Sequence, residues 1–195
     1  MEPVRRVVGR ALPLALADVD TDQIIPSHWL KRLDRTGYGP GLFEAWRKDP
    51  AFVLNDARYR GAVIVLAGAN FGSGSSREHA VWALLDAGFR AVIAPRFADI
   101  FLNNALRNGL LPVELEGDTV AKLVELARAE PSTAITIDVE GRTVEASGIR
   151  ASFTLDDFSR TRLLEGLDDI ALTLRHERDI AAFEAKRPEW LPRVR

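Results

Sequence analysis

Short apolar runs alternate with amphipathic segments through the middle of this 195-residue chain. The runs have the length and the residue types of buried strands, and the segments after them carry apolar residues at helical spacing. Alternation of this kind is typical of βαβ units and a parallel sheet. In chain order the predicted elements are strand Ala62–Leu66, helix Ser76–Ala87, strand Ala91–Ala94, helix Asp99–Arg107, strand Leu111–Leu115 and helix Thr119–Ala129.

The pattern changes after Pro131, where strands follow one another without a helix between them. The turn at residues 140–142 separates two alternating runs, which predicts a hairpin. The predicted elements here are strands Thr133–Val139, Thr143–Ala146 and Ala151–Leu155, then helices Asp156–Leu164 and Asp168–Lys186. Spacing alone therefore predicts a mixed α/β domain. We expect residues 1–195 to form one domain, with about 156–195 as a C-terminal helical extension.

For the first sixty residues, the pattern predicts less regular structure. Val4–Leu16 predicts one or two strands, Ser27–Leu33 a short helix and Leu42–Lys48 another helical turn. Between the two helical pieces, Thr36–Gly41 contains three glycines and a proline. This stretch is therefore predicted to be a loop, and a mobile one.

One strand-to-helix connection combines glycines, serines and an arginine. Gly68–Ala80 reads GANFGSGSSREHA and follows the strand Ala62–Leu66. Ser75 and Glu78 have the S-x-x-E spacing of a capping box, which predicts where the helix begins. Glycine lets the backbone approach a ligand, a helix N-terminus offers N–H groups to an anion, and Arg77 adds a two-pronged donor for a carboxylate. We expect an anion site with hydroxyl groups beside it.

Two common phosphate-binding motifs do not fit this connection. It has no Lys followed by Ser or Thr, so it is not a P-loop. Its G-x-G start places Arg77 where a dinucleotide fingerprint has its last glycine. For these residues alone, a glycine-rich connection with an ordinary helix cap stays open as the simpler explanation.

Composition limits the chemistry that the chain can perform by itself. The 47% hydrophobic content supports a real core, and a formal net charge of −2 argues against general nucleic-acid binding. The absence of cysteine excludes thiol nucleophiles and iron–sulfur ligation by thiolates. No segment approaches the ~20 apolar residues of a membrane span. The short stretch Ala11–Ala17, interrupted by Pro13, is a poor signal peptide, so we expect a cytoplasmic protein.

The string at Gly68–Ala80 resembles the active-site turn of the aconitase superfamily's swivelling domain. Other stretches resemble the same superfamily in the same order: DVDTDQIIP at Asp18–Pro26, TGYGPGLFEAWR at Thr36–Arg47, IAPRFADIFLNNALRNGLLP at Ile93–Pro112 and GLDDIALTLRHERDIAAFEAKRP at Gly166–Pro188. The second and last of these are similar to the bacterial 3-isopropylmalate dehydratase small subunit, so the chain resembles that family. One departure is Ser73, which stands where many relatives have Cys.

The resemblance implies a fold and a set of site residues. The fold would be a swivelling β/β/α domain with a mixed parallel and antiparallel sheet and C-terminal helices. Ser75 would be the catalytic base, acting as an alkoxide, and Asp22, Ser76 and Arg77 would bind substrate. From the residues alone, a helix cap is the simpler interpretation of Ser75, and Asp22 can be an ordinary turn residue.

Two further cations are weaker matches. Lys31 and Arg32 correspond approximately to an active-site arginine of aconitase, and the resemblance makes them candidate substrate-binding residues. Their alternative is a solvated helix face. His79, four residues after Ser75, is expected to pack in its helix, and no metal-binding residue is expected in this chain.

The resemblance also implies a reaction and a partner. The activity would be a hydro-lyase that converts 2-isopropylmalate to 3-isopropylmalate by dehydration and rehydration in leucine biosynthesis. A large subunit would hold a 4Fe-4S cluster, and the small dicarboxylate substrate would bind between the two chains. Two alternatives stay open. One is a related hydro-lyase acting on homoaconitate, dimethylmalate or citramalate, and the other is a non-catalytic anion-binding module of the same fold.

Overall fold

A computed structural model describes residues 1–32, 34–188 and 190–191. These residues build one seven-stranded sheet of order β4-β3-β2-β1-β5-β6-β7. The strands are β1 (Arg6–Pro13), β2 (Ile64–Leu66), β3 (Ala91–Ala94), β4 (Leu111–Glu114), β5 (Ala134–Asp138), β6 (Thr143–Ala146) and β7 (Ile149–Ser152). The four strands β1 to β4 are parallel, and β5, β6 and β7 add to the other edge of β1 in antiparallel fashion.

Strand β1 joins the two halves of the sheet because it is the longest and pairs on both edges. Its later residues pair with β2, with Ala11 opposite Ile64. Its earlier residues pair with β5, with Val7 opposite Ile137. The mixed sheet expected from the resemblance is confirmed, and it follows from the change of pattern near Pro131.

Seven α-helices and five short 3-10 helices lie within the described residues. The α-helices are α1 (Thr21–Ile24), α2 (Glu78–Asp86), α3 (Asp99–Asn108), α4 (Gly117–Ala129), α5 (Asp157–Glu165), α6 (Asp169–Leu174) and α7 (Glu177–Ala185). The 3-10 helices are Ser27–Lys31, Gly39–Gly41, Trp46–Lys48, Val53–Asn55 and Ala57–Tyr59. Leu33, where the first predicted helix was to end, lies outside the described residues.

The parallel half of the sheet is covered on both faces. Successive residues of a strand point to opposite faces, so each strand contributes to two cores. Leu12 and Val65 belong to one core with α2, α3 and the segment between β1 and β2. Ile64 and Ile93 belong to the other core, with α4 and α5. Burial on both faces explains why these strands are continuous apolar runs.

The antiparallel half buries only one face. In β5 the buried residues are Ile135 and Ile137, and in β6 they are Val144 and Ala146, with exposed or partly exposed residues between them. All four belong to the core under α4 and α5. This alternation is the reason the sequence predicted a hairpin there.

The C-terminal helices differ from their prediction in one respect. The predicted helix Asp168–Lys186 is two helices, α6 and α7. The Arg175 N–H binds the Leu172 carbonyl and the His176 N–H binds the Thr173 carbonyl. Bonds to the third residue back tighten a last turn and end a helix.

Candidate active site

The segment that joins β2 to α2, residues 68–77, is called here the serine turn. Its Gly72 has φ of 79°, in a region that favours glycine. A Cβ at that position would lie 2.2 Å from Cγ of Phe101 in α3. Glycine is therefore required both by the backbone and by the packing of the turn on α3.

A second segment, residues 18–24, runs beside the serine turn and is called the aspartate turn. The Gly72 N–H donates to the Val19 carbonyl at 2.7 Å, and the Thr21 N–H donates to the Ser73 carbonyl at 2.9 Å. Asp20 and Ser73 form an isolated parallel bridge. Two stretches that the sequence treated separately are therefore joined by main-chain hydrogen bonds.

This pairing brings Asp22 and Arg77 together. The Arg77 Nη1 donates to the Asp22 carboxylate across 55 residues of sequence. The Arg77 side chain is 17% exposed and that of Asp22 is 57% exposed. A guanidinium that is held in this way beside an exposed carboxylate is suited to binding an anion at the surface.

Ser75 and Ser76, which close the serine turn together with Arg77, are exposed. Helix α2 begins at Glu78 with Arg77 as its N-cap, and no side chain caps it. The predicted capping box of Ser75 and Glu78 is therefore wrong, as is a helix start at Ser76. The reason is the pairing with the aspartate turn, which keeps the chain non-helical as far as Arg77.

The first N–H groups of α2 follow directly after the serine turn. Such groups have no partner within a helix and carry its partial positive charge. Together with the Arg77 guanidinium they favour negative charge beside Ser75 and Ser76. The arrangement fits the anion site predicted from the sequence.

Lys31 and Arg32 lie at the end of the 3-10 helix Ser27–Lys31 and are exposed. The Arg32 guanidinium lies 5.6 Å from the ring centres of both Trp29 and Tyr38. Its Nη1 also donates to the Gly37 carbonyl at 3.1 Å. Within the part of the chain that the structure describes, neither cation forms a hydrogen bond or ion pair with Asp22 or Arg77. Arg32 therefore stabilises the loop that contains Gly37 and Tyr38.

Sequence reasoning missed the anchor of that loop. Tyr38 is fully buried although it stands among glycines. Its N–H donates to Oδ2 of Asp86 at 2.7 Å, and its hydroxyl donates to the Asp34 carbonyl at 2.8 Å. Its ring meets His79 edge-on at 5.3 Å and lies 5.7 Å from Trp82. A lone aromatic residue inside a glycine-rich loop was the available signal.

A polar cluster fixes the two flanks of the loop to each other. The Trp29 Nε1 donates to the Glu44 carboxylate, and the His28 Nε2 lies 3.0 Å from the same group. The hydrogen bond from Trp29 is the main reason that the pKa of Glu44 is held below its usual range, and His28 adds to the effect.

The start of α2 is also held by a residue of α3. The Asn108 Nδ2 donates to Oε1 of Glu78 at 2.8 Å, and the Trp82 Nε1 donates to Oδ1 of Asn108 at 3.0 Å. Burial lowers the pKa of His79, and its ring packs 4.6 Å from that of Trp82 in the same helix, as the sequence predicted. Asn108, to which the sequence assigned no role, links α3 to α2.

The serine turn lies open, whereas a cavity of about 720 Å³ lies elsewhere. That cavity is at the opposite end of the parallel strands, where its lining includes Arg6, Val63, Arg90 and Gly109. Among the described residues, its lining contains none from the serine turn. An enclosed reaction site at Ser75 would need a second surface.

The donor set of this chain does not fit an iron–sulfur cluster. The sequence contains no cysteine. Among residues 1–32, 34–188 and 190–191, no three His, Cys, Asp or Glu side chains are grouped to hold a metal ion. Over the same residues, no helix is long and apolar enough to cross a membrane.

Two models of known protein families match this chain. The family model of the aconitase C-terminal domain matches residues 1–118. A second family model, which describes the C-terminal domain of the 3-isopropylmalate dehydratase small subunit, matches residues 169–194. The first covers the strands and turns that form the site, and the second covers α6 and α7.

Full-length relatives are similar throughout. The 3-isopropylmalate dehydratase small subunit of Parafrankia sp. (strain EAN1pec) is 64% identical over 192 residues, which are 98% of each chain. That of Rubrobacter xylanophilus is 60% identical over 194 residues, with 100% of both chains covered. A crystal structure of 3-isopropylmalate dehydratase from Methanocaldococcus jannaschii superposes with a TM-score of 0.65 at 26% identity, covering 92% of this chain and 99% of that one.

Proposed function

The chain belongs to the family of 3-isopropylmalate dehydratase small subunits, and we propose that its serine and aspartate turns supply the proton-transfer half of that enzyme's active site. The family is one of hydro-lyases that act in leucine biosynthesis. In the proposed reaction, 2-isopropylmalate loses water and regains it to become 3-isopropylmalate. The observation that carries the proposal is the joining of Asp22, Ser75 and Arg77 on one surface by two distant segments.

Ser75 is proposed as the base. Dehydration of a hydroxy diacid needs removal of a proton from a carbon next to a carboxylate, and a serine can do this only as a stabilised anion. The positive end of α2 and the Arg77 guanidinium supply a favourable field beside it. Because α2 has no side-chain cap, the Ser75 hydroxyl is not committed to capping and is free for this role.

Arg77 is proposed to grip a substrate carboxylate, with Ser76 beside it as a further donor. A guanidinium offers two parallel N–H bonds that match a carboxylate. Asp22 holds Arg77 in position through their ion pair. Of the two weaker candidates, Lys31 is the more accessible for substrate, because Arg32 is stacked against Trp29 and Tyr38.

A large subunit is the partner that small-subunit membership implies. We propose that this partner holds the 4Fe-4S cluster, since the present chain contains no cysteine and no suitable carboxylate–histidine group within its described residues. The residues of this chain bind the substrate and move its proton. The substrate is a small dicarboxylate bound between the two chains, in the cytoplasm.

The chain's other proposed properties follow from the same arrangement. Residues 1–195 act as one swivelling domain, with about 156–195 as a helical extension. A net charge of −2 gives no general attraction for nucleic acid. The Thr36–Arg47 loop, anchored at Tyr38, is proposed to face the variable side group of the substrate.

The test is Ser75→Ala in the reconstituted two-subunit enzyme, with cluster content matched to wild type. Loss of a catalytic base should lower kcat by about 10²–10⁴-fold with little change in substrate binding. Stability should stay within ~0.5 kcal/mol of wild type, because an exposed hydroxyl that caps nothing is removed. Ser76→Ala, one residue along the same turn, is the matched control and should affect KM more than kcat.

Two outcomes would overturn the proposal. One is wild-type kcat in Ser75→Ala, and the other is dehydratase turnover by this chain without its partner. The same assay should include homoaconitate, dimethylmalate and citramalate, so that a related substrate preference is detected.

A further inference from the structure

Thr21 is a buried polar side chain, only 2% exposed, beside the proposed base. It is the first residue of α1 in the aspartate turn. Its Oγ1 donates to the Ser75 carbonyl at 3.1 Å, across 54 residues of sequence. Its main-chain N–H donates to the Ser73 carbonyl at 2.9 Å. One residue therefore grips the serine turn at two points, on either side of Gly74.

The Ser75 backbone needs such a support. Gly74 precedes it with φ of 90° and contributes no side chain to hold the turn. The Ser75 carbonyl accepts a bond from the Arg77 N–H at 2.9 Å and another from Thr21. A single carbonyl oxygen thus connects the proposed base, the proposed carboxylate clamp and the aspartate turn.

Thr21 itself is held rigidly by a local capping box. The Asp20 carboxylate accepts from the Gln23 N–H at 2.7 Å, and the Asp20 N–H donates to the Gln23 side chain at 2.9 Å. This reciprocal pair fixes the backbone on both sides of Thr21. The backbone that carries the Thr21 side chain is therefore fixed in the free chain.

We propose that Thr21 is a positioning residue for the dehydration reaction: its hydroxyl sets the orientation of Ser75 toward the substrate. Thr21 also precedes Asp22, which holds Arg77, so one turn fixes the distance between base and clamp. This inference rests on the proposed function, because it requires Ser75 to be the base. Displacements of about 1 Å in a catalytic group can cost ~10²-fold in rate.

The test compares Thr21→Val, which removes the hydroxyl and keeps the shape, with Thr21→Ser, which keeps the hydroxyl. In the reconstituted enzyme Thr21→Val should lower kcat about 10–100-fold and leave KM within ~3-fold of wild type. Thr21→Ser should recover most of the rate. The matched control is Thr161→Val in α5, where Oγ1 donates to the Asp157 carbonyl at 2.8 Å, and it should leave kcat unchanged.

Loss of the Thr21 hydroxyl removes one of the two hydrogen bonds to the Ser75 carbonyl, which costs about 0.5–1.5 kcal/mol, so Thr21→Val is expected to be less stable than wild type. Thr21→Ala, which removes the hydroxyl without adding a methyl, is the second variant, and rates are taken per assembled complex. A hydroxyl-free variant with wild-type kcat would overturn the proposal. So would a Thr21→Ser rate as low as that of Thr21→Ala.

A double-mutant cycle tests the role of Thr21 separately from the proposed role of Ser75 as the base. If Thr21 acts through Ser75, Thr21→Val should cause no further loss of kcat in a Ser75→Ala background. An equal loss in both backgrounds would overturn the inference and leave Ser75 as base. Full activity in Ser75→Ala alone would instead refute the proposed function.

Discussion

Replacement of Arg77 by lysine tests the proposed carboxylate clamp most directly, because it keeps the positive charge and removes the planar guanidinium. In the free chain the Arg77 Nη1 donates to Asp22, and the Arg77 side chain is 17% exposed. Lysine offers a compact ammonium that cannot form two parallel bonds to a carboxylate. The change therefore separates the presence of a cation from its geometry.

Two magnitudes follow from the structure, and they differ enough to be told apart. The Asp22 carboxylate is 57% exposed, so its ion pair with Arg77 contributes at most ~1 kcal/mol to stability, or about 2–4 °C in Tm. A charge-assisted hydrogen bond to substrate contributes about 1.5–3 kcal/mol, which is ~10–150-fold in kcat/KM. Arg77→Lys should therefore reduce activity far more than stability.

The assay is steady-state kinetics of the reconstituted enzyme, with thermal unfolding of each variant measured alongside. Arg142→Lys is the matched control, since Arg142 also donates from its guanidinium to an exposed carboxylate, that of Asp157. It lies in the antiparallel half of the sheet and should leave kcat/KM unchanged. Wild-type kcat/KM in Arg77→Lys, or an equal loss in Arg142→Lys, would refute the clamp.

Two further predictions concern the loop and the helix behind the site. Tyr38 is buried and its N–H donates to Asp86. Hydrogen exchange of the Tyr38 amide should therefore be slow in the free chain and faster in the Asp86→Ala variant. Fast exchange in wild type would instead support the mobile loop predicted from the sequence. Burial lowers the pKa of His79 below its ordinary value of 6.5, so the unfolded state binds more protons below about pH 6.5. Stability should therefore fall as pH drops through that value, and urea melts of His79→Gln should show a weaker dependence.

Much of the fold could be predicted from hydrophobic pattern alone. The parallel strands were visible as apolar runs because both of their faces are buried, as with Ile64 and Val65. The hairpin was visible because β5 and β6 bury one face. Their order in the sheet was not visible, because β1 pairs with β2 and β5, which are distant in sequence.

The local geometry of the candidate site could not be predicted from the sequence. The S-x-x-E spacing of Ser75 and Glu78 satisfied the rule for a capping box, yet the chain there pairs with the aspartate turn instead. A rule that reads four residues cannot include a competing partner more than fifty residues away. Thr21 could not be singled out from the sequence for the same reason, because its proposed role depends on one long-range bond to Ser75.

Exposure of the serine turn connects the chemistry to the partner. Ser75 and Ser76 face solvent in this chain, and water at that position would screen the field of Arg77 and of the α2 N-terminus. A serine anion would then have too little stabilisation to act as a base. Covering the turn with a second protein surface removes that water, so the same charges act in a lower dielectric and stabilise the anion more strongly. We therefore expect the partner to be needed for the proton transfer proposed at Ser75, and not only for the cluster that it is proposed to hold.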